Sequence, residues 1–317
     1  MQQAYSEDQI LGGLWGVVVG DALGVPVEFV DREVLKRNPV TGMRGYGSHH
    51  QPPGTWSDDS SLTLCTVESL IEGYNLKDMA ARFVRWFKEG YWTPWGQAFD
   101  IGFTTREAIT RLAAKVPPEQ AGTNAESANG NGSLMRILPA GLYFARASAT
   151  EILATAHQVS SLTHRHPRSQ MACGFYCVLA TNLLYGLDFA RACQEATGQV
   201  LPHYQQPPYS NELPHFERVL SGRVAGLDET EISSDGYVIH TLEAALWCMY
   251  HSTSFAEAVL KAVNLGDDSD TTGAVTGGLA GTMYGFRAIP GEWLGAVGRH
   301  GDLENLFKRF VARLISQ

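Results

Sequence analysis

Apolar residues recur at intervals of three and four positions along most of the chain, which is the spacing of one face of an α-helix. The pattern predicts helices over Gln9–Asp21, Ser60–Gly73, Leu76–Glu89, Gly102–Lys115, Leu134–Ala147, Thr150–Ser161, Arg168–Tyr185, Tyr237–His251, Ser254–Val263, Thr271–Tyr284 and Leu303–Ile315. No segment alternates apolar and polar residues over the length of a strand. No linker rich in flexible residues divides the chain, so we expect one all-α domain over residues 1–317.

Glycine and proline concentrate in long connections between these helices, at residues 38–55, 91–98, 117–132 and 201–213. Loops of this length within a compact domain are more often functional than idle. We therefore expect a site built partly from loops.

An acidic turn precedes the predicted helix Thr271–Tyr284 and contains Asp267, Asp268 and Asp270. Like charges this close repel unless a cation or protons intervene, and carboxylate and hydroxyl oxygens suit a hard divalent cation. The glycine- and alanine-rich run after Thr271 would allow close helix packing, which would bury the turn. The alternative is that the aspartates only cap a helix N-terminus.

A second acidic turn, Ser57-Asp58-Asp59, opens the predicted helix Ser60–Gly73. Taken alone, it is an ordinary helix start with Ser57 as the cap and acids in the first turn. Taken with the first turn, it supplies enough oxygen side chains for two cations at the roughly 3.5–4 Å spacing of two-metal sites.

Composition narrows the class of protein. The net charge of −9 and the lack of a Lys/Arg run argue against a nucleic-acid partner. Five cysteines without a C-x-x-C pair indicate reduced thiols, so we expect a cytoplasmic protein, which we also expect to be a monomer. We expect neither a secretory signal nor a membrane span, because Ile10–Gly20 lacks basic flanks and the longest apolar run, Met171–Leu187, falls short of the roughly 20 residues that a span needs.

Segments spread over nearly the whole chain resemble the ADP-ribosylglycohydrolase family, which includes the dinitrogenase reductase-activating glycohydrolases and the eukaryotic ADP-ribosyl-acceptor hydrolases. The segments that carry the resemblance are Gly20–Glu28, Trp56–Asp59, Asn131–Arg136, Leu162–Pro167 and Gly266–Gly273. They are specific together, although no single one would be. Ser57 stands where many relatives have threonine, and the hydroxyl is kept.

The resemblance implies a single compact all-α domain of orthogonally packed helices with a binuclear magnesium or manganese centre. It also implies removal of ADP-ribose from ADP-ribosylated proteins. By position, the residues that match the family's metal ligands are Ser57, Asp58, Asp59, Asp268, Asp270 and Thr271. The residues that it places in catalysis are Glu28, Asp58, Asp59 and Asp100. The alternatives without a catalytic role are that Glu28 is a solvated loop acid and that Asp100 is a simple N-cap.

For substrate binding, the resemblance implies Asn131, Gly132, Ser133, Met135, His164, Gly236 and Tyr237. Asn131–Ser133 precedes the predicted helix that begins at Leu134, and helix N-termini bind phosphates through free N–H groups. We interpret His164 as a substrate contact and His166 as structural. The Tyr237 ring could stack on an acceptor guanidinium, or it could pack inward with the apolar helix that follows it.

Three functions remain open at this point. The first is hydrolysis of the bond between ADP-ribose and an arginine side chain. The second is the same chemistry on a serine-linked or small ADP-ribosyl compound. The third is a non-catalytic relative that binds ADP-ribose, against which the intact acidic residues count.

Overall fold

The computed structural model describes residues 6–316. The α-helices, in chain order, are α1 (Glu7–Gly24), α2 (Arg32–Arg37), α3 (Asp58–Glu72), α4 (Leu76–Glu89), α5 (Phe103–Ala113), α6 (Pro118–Ala121), α7 (Leu138–Tyr143), α8 (Ala149–Ser161), α9 (Pro167–Leu184), α10 (Phe189–Tyr204), α11 (Glu217–Leu220), α12 (Val238–Tyr250), α13 (Phe255–Val263), α14 (Ser269–Tyr284), α15 (Gly291–Ala296) and α16 (His300–Ile315). Short 3-10 helices lie at Val25–Val27, Glu126–Ala128, Tyr209–Phe216, Arg223–Gly226, Glu229–Glu231 and Phe286–Ala288.

Residues 6–316 contain no β-strand, and two isolated β-bridges join Thr123 to His164 and Gly130 to Tyr237. The prediction of an all-α fold is therefore confirmed. Each bridge includes a predicted site residue, His164 or Tyr237, so this strand-like pairing lies beside the predicted site.

The predicted helix Leu134–Ala147 is wrong at its beginning. Residues 131–137 form turns, and α7 begins only at Leu138. The cause is Pro139, which has no N–H for the carbonyl of Met135 and whose ring would clash with that carbonyl in a continuous helix. Asn131–Ser133 therefore belongs to a turn and not to a helix N-terminus.

The predicted loop 201–213 is also wrong in part. Helix α10 runs to Tyr204, and a 3-10 helix begins at Tyr209. Periodicity did not predict α10, because Gly198 and Pro202 lie inside it and both residues disfavour a helix interior.

Helices α1 and α14 are the central pair, and glycines set their separation. A Cβ atom on Gly16 would lie 2.0 Å from the carbonyl oxygen of Gly277, and one on Gly20 would lie 2.1 Å from that of Gly273. The pairing runs in opposite directions along the two helices, so the C-terminal end of α1 lies against the beginning of α14. This contact brings the Gly20–Glu28 segment to the acidic turn at Asp268.

One helical stretch, Glu7–Val27, is apolar and long enough to cross a membrane, yet 94% of its window is buried inside the protein. It contains α1, which is covered by α14 and the helices around it. Its apolar composition is that of a core helix with no solvent-facing side.

Candidate active site

A cavity of about 270 Å³ lies between the segment that follows α1 at Glu28 and the beginning of α14 at Asp268 and Thr271. Its lining residues are Glu28, Phe29, Asp58, Asp100, Gly102, Phe103, Thr104, Thr105, Gly130, Asn131, Gly132, Met135, His164, Gly236, Asp268 and Thr271. The fold therefore gathers in one cavity most of the predicted site residues, from segments far apart in the chain. Those that do not line it are Ser57, Asp59, Ser133, Tyr237 and Asp270.

The two acidic turns meet beneath this cavity. The hydroxyl of Thr271 lies 3.3 Å from Oδ2 of Asp59, and the hydroxyl of Ser57 lies 3.2 Å from the same oxygen. Both hydroxyls can donate to this one carboxylate. The start of α3 and the start of α14 thus form one oxygen-rich cluster, as the two-turn hypothesis requires.

Two carboxylate oxygens in this cluster have no partner. Among the described residues, Oδ1 of Asp59 and Oδ2 of Asp270 are buried without a hydrogen bond. Burial raises the pKa of both groups well above the ordinary aspartate value, and the acids around them raise it further. Such oxygens are costly to bury alone, and a divalent cation would satisfy them.

Glu28 adds a third carboxylate on the cavity side. One oxygen each from Glu28, Asp268 and Asp270 lie within 4.8 Å of one another, close enough to share a metal ion. Glu28 is only 3% exposed, and burial raises its pKa to about 8 despite an opposing hydrogen bond from His49. The alternative of a solvated loop acid is therefore wrong for Glu28.

Helix capping explains one acidic turn and not the other. The Ser57 hydroxyl accepts the N–H of Asp59 at 3.2 Å and caps α3. Asp268 occupies the N-cap position of α14 but its side chain makes no capping bond. It accepts instead from Nδ2 of Asn131 at 2.8 Å, so its carboxylate is directed at the cavity.

Asp21 positions the second acidic turn. It is fully buried and accepts the N–H groups of Ser57 at 2.9 Å and of Ser60 at 3.0 Å, together with the Ser60 hydroxyl. Burial raises its pKa to about 7. The residue lies in the Gly20–Glu28 segment, but nothing in the sequence pattern marked it as the anchor of α3.

His49 is a residue of the candidate site that sequence reasoning missed. Its Nε2 atom contacts Oε2 of Glu28 and lies 3.9 Å from Oδ1 of Asp100, and the hydrogen bond to Glu28 raises its pKa. The Ser48 hydroxyl donates to the Glu28 carbonyl at 2.5 Å and fixes the loop. The one available signal was the length of loop 38–55.

Asp100 lines the cavity, and its backbone is left-handed, with φ of 55°. Gly102 occupies the N-cap position of α5, so the simple N-cap alternative for Asp100 is wrong. A left-handed aspartate is uncommon and often marks a site that the surrounding structure holds in place. Burial is the main cause that raises the pKa of Glu28 and of Asp58, and the charge of Asp100 raises both further.

Asn131 and Gly236 connect the predicted substrate segments. The N–H of Asn131 donates to the Gly236 carbonyl at 3.0 Å, and its side chain donates to Thr241 at 2.9 Å as well as to Asp268. A Cβ on Gly236 would lie 3.2 Å from Oδ2 of Asp268, so this glycine leaves room beside the acidic cluster.

Ser133 and His164 differ in where their side chains lie. Ser133 is fully buried, and its hydroxyl bonds Ser160 at 2.9 Å and the thiol of Cys173 at 3.4 Å. The imidazole of His164 lines the cavity, and burial lowers its pKa to about 3, so it is neutral at ordinary pH. Any substrate contact of Ser133 would use its backbone N–H.

Comparison with known proteins agrees with this geometry. The family model for ADP-ribosylglycohydrolase matches residues 1–317. The chain belongs to the ADP-ribosylglycohydrolase family. The resemblance drawn from the five motif segments is thereby confirmed, and those segments contribute half of the residues that line the cavity.

Relatives within the ADP-ribosylglycohydrolase family share most of their length with this chain. ADP-ribosylarginine hydrolase Tri1 of Serratia proteamaculans is 34% identical over 306 residues, which is 96% of this chain and 79% of that protein. ADP-ribosyl-(dinitrogen reductase) glycohydrolase of Rhodospirillum rubrum is 30% identical over 298 residues, 90% of this chain and 89% of that protein. A solved structure of an ADP-ribosylglycohydrolase-related protein complex superposes with a TM-score of 0.82 at 34% identity, over 97% of this chain and 98% of that chain.

Tyr237 has a different setting from the substrate contact expected of it, whereas His166 has the structural role expected of it. Tyr237 is half-buried outside the cavity lining, its hydroxyl lies 3.2 Å from Nη1 of Arg168, and the Arg168 guanidinium lies 5.9 Å from its ring centroid. An internal arginine therefore already occupies the neighbourhood of the ring. His166 caps α9 by accepting the N–H of Arg168 at 3.2 Å, which is a structural role.

Proposed function

We propose that this protein hydrolyses the N-glycosidic bond between ADP-ribose and an arginine side chain of an ADP-ribosylated protein, with two magnesium or manganese ions bound at the acidic cluster. The observation that carries the proposal is the pair of partnerless buried oxygens on Asp59 and Asp270 beneath a cavity of substrate-binding residues. Relatives named ADP-ribosylarginine hydrolase support the choice of acceptor.

The metals would be held by Ser57, Asp58, Asp59, Asp268, Asp270 and Thr271. Hard oxygen donors without thiolate or imidazole favour magnesium or manganese over zinc. Bound there, the ions would fix the ribose diol and lower the pKa of water. Glu28 lies within reach of Asp268 and Asp270 and is a further candidate ligand.

The carboxylates at the cavity would manage the protons of the reaction. Water adds to the anomeric carbon of the ribose, the bond from that carbon to the guanidine nitrogen breaks, and the nitrogen takes up a proton. Glu28 is the leading acid/base group, because its raised pKa of about 8 lies near neutral pH and His49 can exchange a proton with it. Asp58, Asp59 and Asp100 are the other candidates and stabilise the positive charge of an oxocarbenium-like transition state.

The turn at residues 131–134 would receive the diphosphate. Among the described residues, the N–H groups of Gly132, Ser133 and Leu134 donate no hydrogen bond, and a Cβ on Gly132 would meet His164 at 3.0 Å. The turn thus offers free N–H donors to a phosphate, although it is not the N-terminus of a helix. ADP-ribose is expected to be a product and a competitive inhibitor, and isothermal titration with magnesium present measures its affinity directly.

The choice between arginine and serine acceptors is tested by specificity constants. We expect kcat/KM for ADP-ribosyl-arginine peptides to exceed that for ADP-ribosyl-serine peptides. Tyr237→Ala should lower the arginine value while leaving ADP-ribose affinity nearly unchanged, and Tyr237→Phe keeps the ring but loses the bond to Arg168. Faster cleavage of the serine-linked peptide by the unmodified protein would refute the arginine assignment.

We also propose that the enzyme is a cytoplasmic monomer. All five cysteines are free and buried, which agrees with a reducing, cytoplasmic setting. A monomer remains the expected state, and light scattering during gel filtration would test it against the chain mass of 34.6 kDa.

A further inference from the structure

Arg136 is a buried cation without an acidic partner. Its side chain is 0% exposed, and no carboxylate among the described residues lies within ion-pair distance of it. Its guanidinium lies 4.7 Å from the ring centroid of Phe83, and its Nε–H has no acceptor within residues 6–316. Burial lowers its pKa only to about 10, so it stays charged at neutral pH. Burying a charge with so few compensating partners destabilises the fold, unless a bound group of opposite charge compensates it.

The guanidinium contacts the cavity through one hydroxyl. Nη2 of Arg136 donates to Oγ1 of Thr163 at 2.7 Å, and both terminal nitrogens lie 3.3 Å from the Val159 carbonyl. Oγ1 of Thr163 in turn lies 2.9 Å from Nδ1 of His164. Thr163 is fully buried, so water does not reach this chain of contacts.

The direction of these hydrogen bonds follows from what each group can do. A guanidinium only donates, so the Thr163 oxygen accepts from Arg136. The Thr163 hydroxyl proton then has one acceptor among the described residues, Nδ1 of His164. A buried O–H left without an acceptor is costly, so it donates there. Nδ1 of His164 must then be unprotonated, and the neutral imidazole carries its proton on Nε2.

The protonated nitrogen lies beside the proposed diphosphate turn. Cβ atoms built on Gly130 and on Gly132 would each lie 3.6 Å from Nε2 of His164. We propose that Arg136 is a positioning residue that acts through Thr163 to hold His164 as an Nε2–H donor, aimed at the diphosphate of ADP-ribose. The ligand part of this inference rests on the proposed function, whereas the tautomer part stands on the protein alone. The anion would also compensate the buried charge of Arg136.

The tautomer is measurable without any ligand. Protein labelled with 15N-histidine, assigned by comparison with His164→Gln, reports each ring nitrogen by long-range proton–nitrogen NMR. We expect the wild type to show a protonated Nε2 and an unprotonated Nδ1 at His164. Thr163→Val keeps the shape and removes the hydroxyl, so it should release this preference, and Thr163→Ser should restore it. A protonated Nδ1 in the wild type, or an unchanged tautomer in Thr163→Val, would overturn the relay.

Binding of ADP-ribose by isothermal titration tests the consequence. Thr163→Val and Arg136→Met should each raise the Kd of ADP-ribose by about tenfold, which corresponds to a loss of ~1.4 kcal/mol of binding free energy. In turnover, both substitutions should affect KM more than kcat. Thr181→Val is the matched control, because Thr181 is also buried but bonds the Cys177 carbonyl away from the cavity. Unchanged affinity in Thr163→Val would refute the role in binding. Failure of the wild type to bind ADP-ribose would instead refute the proposed function and the ligand, while the NMR result still decides the relay.

Discussion

At the scale of single residues, the buried carboxylates of Asp59 and Asp270 destabilise the metal-free fold electrostatically. Each has a buried oxygen without a hydrogen-bond partner in the part of the chain that the structure describes, and their negative charges repel one another. The metal-free protein must bear this repulsion or take up protons, whereas a cation would turn the same oxygens into ligands.

Asp270→Asn should therefore stabilise the metal-free protein and abolish activity. Oδ1 can still accept the Thr271 N–H at 2.9 Å, so the local backbone is kept while a buried charge is lost. The measurement is the melting temperature in chelator and in magnesium. We expect the variant to melt higher than the wild type in chelator and to gain little from magnesium.

The control is Asp267→Asn, which removes an exposed carboxylate from the same turn. Its backbone is left-handed, and asparagine tolerates that conformation. It should behave like the wild type in both conditions. The account would be contradicted if Asp270→Asn had a lower melting temperature than the wild type in chelator and if magnesium still raised that temperature.

The metal-free protein should lose stability as pH rises from about 5 to about 8. The folded pKa values of Asp21, about 7, and Glu28, about 8, exceed their unfolded values, so the folded state holds protons that the unfolded state has released. The free energy of unfolding then falls with pH, by about 1.4 kcal/mol per pH unit for each proton retained.

Urea unfolding in chelator across this range measures the slope, and Glu28→Gln should make it shallower. Magnesium should reverse the trend, because ligand carboxylates bind metal in their charged form. Stability that rises with pH in chelator would be inconsistent with the buried, protonated acids.

The sequence predicted some site residues and not others for physical reasons. Asp268 and Asp270 were predictable, because several acids in one turn have few uses besides a cation. His49 was not, since it joins Glu28 only after loop 38–55 folds back. Ser133 lies in a recognisable motif, yet nothing local indicates that its hydroxyl faces Ser160 and not the cavity.

At the scale of elements, the glycine contact between α1 and α14 holds the two halves of the site together. Gly16→Ala would put a methyl group 2.0 Å from the Gly277 carbonyl oxygen, which forces the helices apart. We expect a loss of about 3 kcal/mol or more in the free energy of unfolding, with activity lost as Glu28 and Asp270 separate.

Gly198→Ala is the matched control, because it is the same change inside helix α10 with nothing within 4 Å of the new methyl group. It should stabilise the protein by roughly 0.5–1 kcal/mol. Equal effects of the two substitutions in urea unfolding would show that close packing does not set the separation of α1 and α14.

Helix boundaries were predictable where capping and periodicity agree, as for Leu76–Glu89, which the structure reproduces. They were not where one residue overrides the pattern. Pro139 prevents the helix from beginning at Leu134, so α7 begins only at Leu138, and the turn before it supplies the N–H groups beside His164. The error in the predicted helix is thus informative, since the irregular segment lies at the cavity.

At the scale of the whole molecule, a single domain over residues 1–317 stays a prediction. The cavity is lined by segments from Glu28 to Thr271, so folding and site formation should occur together. Calorimetry should give one transition with equal calorimetric and van't Hoff enthalpies, displaced upward by magnesium. Two transitions, with magnesium moving only one, would divide the chain.

The most direct test of the central claim is release of ADP-ribose from a protein ADP-ribosylated on arginine. We expect repeated turnover with magnesium or manganese, loss of activity in chelator, recovery when the metal is restored, and no activity at any metal concentration for Asp270→Asn. Release that continues unchanged in chelator, or no release from the arginine-linked substrate while another linkage is cleaved, would contradict the account.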